Sequence, residues 1–250
     1  MVFTSDKDEL FCSKIDDAIN LCLTWQKPYF LSFMSERKQA IASAYLKQIY
    51  FDNYLFCGGY DNCERKMLGI FYDDTDKSLF PISAIEFKFR ACDNLTHRNF
   101  LGALMSLGIE RETVGDILIE DGRCVTFVKS EMKDYIVSQI SKIGNVGVKV
   151  CDANLQKLPQ GRGFEEKFYT VSSLRLDNIV AAVANYSREK TRTVILSGNV
   201  CVNYFEENNV SRNLKEKDVF SVRGIGKFVL NGVLGFSKKG RLKISVIYFR

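Results

Sequence analysis

Apolar residues in the C-terminal third first recur at the spacing of a helix and then alternate as in strands. One apolar helix face is predicted from four residues at i, i+3, i+4 and i+7, namely Leu176, Ile179, Val180 and Val183. Ser187 is a residue type that caps the N-terminus of a helix, and Gly198 is the residue type that commonly follows the last turn of one. Residues 200–202 and 220–222 then alternate as short strands. The pattern predicts two short helices followed by a β-hairpin, with further strands at 227–236 and 241–249.

The middle of the chain, from Leu79 to about Asp152, switches between the two periods several times. In order, the pattern predicts a strand at 82–89, a helix through 100–107, strands at 117–119 and 124–128, a helix through 135–143 and a strand at 146–150. This βαββαβ order is that of a ferredoxin-like unit, which also underlies RNA-recognition domains. Such domains carry several stacking aromatics on their central strands, whereas the run Val125–Val128 offers only Phe127. The sequence therefore leaves RNA binding by this unit open.

The N-terminal residues 1–75 have the pattern of a helical domain with a small strand pair. Apolar residues at helical spacing predict helices through 11–22 and 36–45, and the strands are placed at 54–57 and 67–71. Residues 158–170 begin with Pro, Gly and alternating charge and are interpreted as a linker. We therefore predict an α+β protein. Its parts are an N-terminal α-rich domain at 1–75, a ferredoxin-like (RRM-like) domain at 76–157, a linker at 158–170 and a C-terminal domain at 171–250.

The formal net charge of +5 conceals an uneven distribution of charge along the chain. Residues 171–250 contain 14 Lys and Arg but 6 Asp and Glu, whereas the first 170 residues contain 21 basic and 24 acidic residues. A localised positive field attracts a polyanion, because each phosphate that is neutralised releases condensed counterions. The charge therefore favours a nucleic acid as the partner of the C-terminal third.

A set of short motifs spans residues 175–223 in a fixed order. The set consists of Arg175-Leu176-Asp177, Ser187-Arg188, Gly198, Val200, Val202-Asn203, Asp218 and Val222-Arg223. In this order the motifs resemble the S4 RNA-binding domain, and the resemblance implies an αα-β-hairpin fold that binds folded RNA. Two positions depart from the family pattern, which commonly has a small residue in place of Thr191 and glycine in place of Tyr204.

Few residues of this chain could form a catalytic or metal site. His97 is the only histidine, which excludes multi-histidine metal sites and leaves little for a Ser-His-Asp or Cys-His arrangement. The eight cysteines are scattered without a CxxC pair, as reduced thiols are in a cytosolic protein. Gly224–Lys227 lacks the spacing of a phosphate-binding loop. We predict a non-catalytic protein without cofactor or metal, with an S4-containing RNA-modification enzyme or an adaptor for an acidic protein partner as alternatives.

Further motifs extend the resemblance to nearly the full chain. They are Phe30–Phe33, Gly58-Gly59-Tyr60, Arg98–Leu104, Leu107–Arg111, Gly115-Asp116-Ile117 and Lys239-Gly240-Arg241. Together with the S4-like run, they resemble the YlmH family of bacterial S4-domain proteins. The resemblance implies a ribosome-associated protein that contacts large-subunit rRNA and P-site tRNA in the rescue of stalled nascent chains, and a link to cell division. With no apolar run of about 18 residues and no signal-like N-terminus, we expect a cytoplasmic monomer without a membrane span.

Eight basic residues of the C-terminal third are predicted to contact RNA. Arg188 and Arg192 lie four residues apart at the start of the second predicted helix, where the helix dipole favours phosphate. Arg175 and Lys190 are expected to flank them. The same basic track is predicted to continue through Lys215, Lys217, Arg223 and Lys227. Asp177 is expected to orient Arg175 and not to touch RNA.

Overall fold

The computed structural model describes residues 6–159 and 163–249, and these two ranges form two separate compact units. Both units combine helices with antiparallel sheets, so the predicted α+β class is confirmed. The first unit contains both of the domains that were predicted at 1–75 and 76–157. Their separation into two domains stays a prediction.

The N-terminal part of the first unit packs two helices on a small sheet. Its elements are α1 (Asp6–Trp25), β1 (Tyr29–Met34), α2 (Glu36–Gln48), β2 (Tyr54–Cys57) and β3 (Lys66–Ile70). The strands form an antiparallel sheet of order β1-β3-β2, so the predicted strand pair is wrong in number. The sequence pattern missed β1 because its apolar residues form a nearly continuous run without alternation. The buried Asp8 carboxylate joins α1 to α2 by accepting two hydrogen bonds of 2.8 Å from Arg37.

The remainder of the first unit follows the predicted βαββαβ order with one addition. Its main elements are β4 (Ile82–Lys88), α3 (His97–Ser106), β5 (Val114–Glu120), β6 (Arg123–Lys129), α4 (Lys133–Gln139) and β9 (Lys149–Asp152). The strands form an antiparallel sheet of order β5-β6-β4-β9. The last predicted strand at 146–150 is wrong in part, because a small hairpin of β7 (Lys142–Ile143) and β8 (Val146–Gly147) precedes β9.

This four-stranded sheet is covered on both faces. On one face, α3 and α4 bury a core that includes Phe87, Phe100, Leu104, Val128 and Ile136. On the other face, the N-terminal strands contribute to a second core with Phe33, Met67, Leu118, Val125 and Phe127. Alternate residues of β5 and β6 enter the two cores, as the pleat of a strand requires.

The second unit packs two helices on one face of a six-stranded sheet. Its elements are β10 (Phe164–Val171), α5 (Leu176–Ala184), α6 (Arg188–Leu196), β11 (Val200–Val202), β12 (Phe205–Glu206), β13 (Val219–Val222), β14 (Gly226–Phe236) and β15 (Leu242–Phe249). The antiparallel strand order is β10-β15-β14-β13-β11-β12. The two predicted helices and the pairing of β11 with β13 are confirmed.

The linker predicted at 158–170 is wrong for most of its length. Residues 164–171 form β10, which pairs with β15 along its whole length, whereas residues 160–162 lie outside the described residues. The segment FEEKFYTV alternates in burial as an edge strand does. The charged residues of this segment and the glycines before it are typical of a linker, so the alternating strand pattern was not recognised in the sequence.

The core of the second unit lies between the helices and the sheet. Leu176, Ile179 and Val180 of α5 enter it as the helical spacing predicts, but Val183 is only partly buried at its margin. From the strands come Val200, Val202, Phe220, Val222, Phe228, Leu230, Ile244 and Val246. The hairpin turn between β11 and β12 places Asn203 and Tyr204 at φ 50° and 71°. The left-handed backbone explains why glycine is common at the position of Tyr204.

Candidate nucleic-acid interface

The start of α6 presents two arginines that form no ion pair within residues 6–159 and 163–249. The Ser187 hydroxyl caps the helix by accepting a hydrogen bond from the Lys190 backbone, as predicted. Arg188 and Arg192 follow one turn apart and are exposed. Within the described residues, neither guanidinium has a carboxylate at salt-bridge distance. Both are therefore available to an external anion.

The two predicted flanking residues are held by neighbours. Arg175 donates from Nε and Nη2 to the Asp177 carboxylate over 3.1 and 2.7 Å, which is the orienting contact expected of Asp177. The hydrogen bonds and the charge of Asp177 raise the pKa of Arg175 above its ordinary value. The Lys190 ammonium lies 4.0 Å from the centroid of the Tyr186 ring, a cation–π contact that fixes its direction.

The loop between β12 and β13 lies along the start of α5. The Leu176 amide donates to the Arg212 carbonyl over 2.8 Å, and Arg175 forms an isolated β-bridge with Asn213. These bonds satisfy backbone donors at the start of α5, which therefore cannot bind phosphate. Lys215 is an exposed residue of the same loop. It follows Asn213, the bridge partner of Arg175, by two positions in the sequence.

The structure places the other three predicted residues beyond the end of α6 and on or beside the opposite face of the sheet. Arg223 follows β13, and its amide donates to the Asn199 carbonyl beyond the C-terminal end of α6. Lys227 lies on the sheet face opposite the helices, because its neighbour Phe228 enters the helix-side core. Lys217 donates to Asn231, whose side chain donates to Ser245 and Glu166 beside the same opposite face. The eight residues therefore do not form the single continuous track that was expected.

The aromatic residue that the middle sheet offered for RNA is buried in a core. Phe127 is 1% exposed and stacks on Tyr60 with ring centroids 4.8 Å apart. Gly59 and Gly115 allow this packing, since a Cβ at Gly59 would lie 2.6 Å from the Phe127 ring and one at Gly115 would lie 2.8 Å from Phe33. Phe127 therefore cannot stack on a base without separating the N-terminal strands from the sheet.

Several signature residues of the first unit hold these two sheets together. The Asp116 carboxylate accepts hydrogen bonds from the Tyr60 hydroxyl and from the amides of Glu64 and Arg65, over 2.8, 2.7 and 3.0 Å. Burial and the Asp116 charge raise the pKa of Tyr60 well above its ordinary range. The Arg65 side chain donates to the carbonyl oxygens of Val114, Phe33 and Arg111. The motifs that contain Gly59-Tyr60 and Gly115-Asp116 are therefore explained by packing and hydrogen bonding between the two sheets.

The sequence pattern missed a group of aromatic residues on the second unit. Phe164 and Phe168 of β10 are 71% and 66% exposed, and both belong to the sheet face opposite the helices. The sequence signal that could have identified these residues is the alternating pattern of Phe164–Val171, most of which lies in the predicted linker.

In the described ranges 6–159 and 163–249, no three His, Cys, Asp or Glu side chains are grouped so that they could hold a metal ion. No helix within these ranges is both long and apolar enough to span a membrane. The single histidine, His97, is the first residue of α3.

Comparison with known proteins identifies the family. Over 240 residues, the chain is 32% identical to "Ribosome-associated protein quality control protein P2" of Bacillus subtilis (strain 168), and the match covers 92% of each chain. The chain belongs to the YlmH family. A family model described as "Putative RNA-binding domain in YlmH" matches residues 74–157, nearly the range predicted for the middle domain. The solved structure "Cell division protein ylmH from Streptococcus pneumoniae" shares the fold, with a TM-score of 0.54 and 19% identity over 62% of this chain and 96% of that YlmH chain.

Proposed function

We propose that this protein is a non-catalytic RNA-binding protein that acts on the ribosome in the quality control of stalled translation. The observation that carries the proposal is the pair of exposed arginines at the start of α6, in the most basic third of the chain. The name of the Bacillus subtilis relative, and the RNA-binding family model at 74–157, support the same partner. We further propose large-subunit rRNA and tRNA as the RNAs, and a cytoplasmic monomer as the working form.

The proposed RNA-binding element of the second unit is an S4 domain. Two helices that pack beside the β11–β13 pair, with the αα-hairpin presented to solvent, support this assignment. Arg188 and Arg192 would bind phosphate oxygens, with Lys190 on the same helix, and contacts of this kind recognise shape more than base sequence. Arg175 would contribute less, because Asp177 already neutralises part of its charge.

The middle part of the first unit is proposed to be a ferredoxin-like domain, on the basis of its strand order β5-β6-β4-β9. If it contacts RNA, it would do so without the usual sheet face, because that face is covered. Its helices and edges are the surfaces that are left.

Replacing Arg188 and Arg192 together by alanine tests the main proposal. We expect weaker binding to ribosomal RNA and a log–log salt slope that is shallower by roughly 2, since two phosphate contacts are lost. Both side chains are exposed, so the melting temperature should stay nearly constant. A matched control replaces Lys238 and Lys239, two exposed residues of the β14–β15 turn, and should change the affinity little.

Unchanged affinity and salt slope in the Arg188→Ala/Arg192→Ala variant would contradict the proposed surface. Co-sedimentation with ribosomes before and after nuclease treatment separates RNA binding from an adaptor role, because an acidic protein partner would survive the nuclease. An enzymatic role would instead appear as a modified nucleotide that is missing from rRNA or tRNA in a deletion strain.

A further inference from the structure

The strand β1 of the first unit lies at the edge of its sheet and beside a cavity. Of the strands within residues 6–159 and 163–249, only β3 pairs with β1, and we call the other edge of β1 its outer edge. A cavity of about 410 Å³ is lined by all six residues of the strand, Tyr29–Met34. A cavity over one face of a strand touches every second residue, because successive side chains point to opposite faces. This cavity therefore runs along the outer edge, where the main chain of β1 is accessible.

The helix α1 forms one wall of this cavity. Its lining residues recur at helical spacing and are Phe11, Lys14, Asp17, Ala18 and Leu21. A smaller cavity of about 280 Å³ adjoins the first and shares its residues Tyr29, Phe30 and Lys129. We call the two cavities together the β1 groove. Leu21 and Tyr29 are 39% and 42% exposed, so the groove opens to solvent between the end of α1 and the start of β1.

Side chains of the first unit already bind the main chain at one end of β1. The Arg65 guanidinium donates to the Phe33 carbonyl, and the Gln39 amide donates to the Met34 carbonyl, each over 3.1 Å. The part of the strand left to the groove is therefore Tyr29–Ser32, with a length of roughly 13 Å. In an edge strand, alternate residues direct both the N–H and the C=O away from the paired neighbour. The outer edge of Tyr29–Ser32 thus presents donors and acceptors at the spacing of a β-ladder.

The charges along the β1 groove balance. The two cavities are lined by three cations and three carboxylates, namely Lys14, Lys38, Lys129, Asp17, Glu112 and Glu131. The Lys38 ammonium lies 2.8 Å from the Glu112 carboxylate, and the Lys129 ammonium lies 3.5 Å from that of Glu131. The hydrogen bond from Lys38 and the charges of Lys38 and Lys14 hold the pKa of Glu112 below its ordinary value. A polyanion would meet as many carboxylates as ammonium groups here, so the groove favours an occupant without net charge.

We propose that the β1 groove binds an extended, uncharged peptide segment of a partner protein, which adds a strand to the outer edge of β1. Main-chain hydrogen bonds to Tyr29–Ser32 would hold the segment, and alternate apolar side chains would pack against Leu21 and Tyr29. A second folded copy of this chain does not fit, because α1 beside each outer edge keeps two β1 strands further apart than the roughly 4.8 Å of paired strands. The inference goes beyond the proposed function, since it concerns a protein partner and residues of the first unit.

The probe for the test is a capped, fluorescein-labelled peptide with the sequence of residues 65–74, RKMLGIFYDD, whose charges sum to zero. This segment contains β3, in which Leu68 and Ile70 are the register partners of Leu31 and Tyr29. The peptide therefore offers the outer edge of β1 the cross-strand partners that its other edge already has. We expect the full-length protein to bind this peptide in fluorescence anisotropy, and amide hydrogen exchange within Tyr29–Ser32 to become slower in the complex.

Methylation of the peptide main chain tests whether it binds as a strand. One version of the peptide carries N-methyl groups on the residues that correspond to Leu68 and Ile70, and a second version carries them on those of Met67 and Gly69. In an antiparallel pair, only alternate residues exchange hydrogen bonds with a given neighbour. We therefore expect one version to lose affinity by about tenfold or more and the other to stay within about twofold of the unmethylated peptide.

Leu21→Arg tests the wall of the groove. We expect affinity for the unmethylated peptide to fall by about tenfold or more, because the bound peptide would bury a charged side chain without a partner. Leu23→Arg is the matched control, since Leu23 lies on the same helix and is 49% exposed but lines neither cavity. This control should bind the peptide within about twofold of the unaltered protein. Both leucines are exposed, so both variants should keep the melting temperature of the unaltered protein.

Four results would overturn the inference. The first is that the unaltered protein does not bind the unmethylated peptide. The second is that the two methylated versions behave alike, and the third is that Leu21→Arg and Leu23→Arg do. The fourth is displacement of the peptide by an oligouridylate, which would assign the groove to RNA.

The two proposals fail separately. The Arg188→Ala/Arg192→Ala variant should bind the peptide as the unaltered protein does, because both arginines belong to the second unit. Leu21→Arg should likewise keep its affinity for ribosomal RNA. Loss of RNA binding in Leu21→Arg, with peptide binding unchanged, would count against the peptide groove and leave the helix surface of α6 untouched.

Discussion

The two larger sheets of this protein differ in what covers their second face. In the first unit, the sheet of order β5-β6-β4-β9 carries helices on one face and the N-terminal strands on the other. In the second unit, the helices of residues 163–249 pack on one face of the six-stranded sheet. Phe127 and Phe168 both lie on strands whose side chains alternate between two faces, yet Phe127 is 1% exposed and Phe168 is 66% exposed. A phenylalanine on a strand therefore indicates a binding surface only when the packing of both faces is known.

The two sheets also differ in whether they expose aromatic residues that could contact RNA. The βαββαβ order is the one that elsewhere presents stacking aromatics on its sheet, but here that face is a core. The sheet with exposed aromatics belongs instead to the second unit, for which an S4 domain is proposed. Fold type alone therefore does not locate the surface, and the residues on each face must be examined.

The largest contrast is expected between two phenylalanine-to-alanine changes. Phe127→Ala removes a fully buried ring and should lower the free energy of unfolding of the first unit by about 4 kcal/mol. Phe168→Ala removes an exposed ring and should change the stability of the second unit by about 0.5 kcal/mol or less. Urea unfolding followed by circular dichroism measures both. Similar losses in the two variants would show that the two faces do not differ as described.

The attachment between the two sheets of the first unit depends on Asp116. Asp116→Ala leaves the Tyr60 hydroxyl and the amides of Glu64 and Arg65 without their acceptor, so we expect a loss of about 3 kcal/mol. Asp121→Ala, in the exposed β5–β6 turn, removes the same charge and serves as the control. The measurement is again urea unfolding. Equal stability of the two variants would contradict the role given to Asp116.

The smallest expected effect concerns a buried carboxylate on the covered sheet. Burial raises the pKa of Glu86, but hydrogen bonds from Lys88 and Cys151 and the charges of Lys88 and Arg123 outweigh it, so the pKa lies below the ordinary 4.5. A depressed pKa contributes stability above pH 4.5 that is lost as the pH falls through the folded-state value. Glu86→Gln should therefore cost at most about 1 kcal/mol at pH 7, since Lys88 is half exposed.

In acid, the difference between Glu86→Gln and the unaltered protein should disappear. Glu131→Gln is the control, because Glu131 is 69% exposed and pairs with Lys129 over 3.5 Å. The measurement is the free energy of unfolding of each variant at a series of pH values between pH 3 and pH 7. A deficit of Glu86→Gln that persists at the lowest pH would have another origin than the charge of Glu86.

The parts of the fold that could be predicted are those in which local pattern and burial agree. Leu176, Ile179 and Val180 mark α5 by their spacing, and Ser187 marks the start of α6 by its side chain. These signals depend on neighbours within one or two turns. The run at β1 and the segment at β10 could not be assigned in this way, because both pair with strands distant in sequence.

The candidate site was predictable in its residue types but not in its layout. Arg188 and Arg192 share a helix face because of their four-residue spacing, which is a local property. The order of Lys215 and Lys227 in the chain predicts a single track, yet Lys227 lies on the sheet face opposite the helices. A side chain on a strand changes face with each residue, so one position in register decides the surface to which a lysine belongs.

The pairing of β10 with β15 has a consequence for where the chain can be cut. A fragment beginning at Val171, the boundary drawn from sequence, would lack β10 and leave the backbone donors and acceptors of β15 uncovered over eight residues. An unprotected edge of that length is a template for intermolecular pairing and aggregation. A fragment that begins at Gly163 retains the terminal strand and keeps that edge closed.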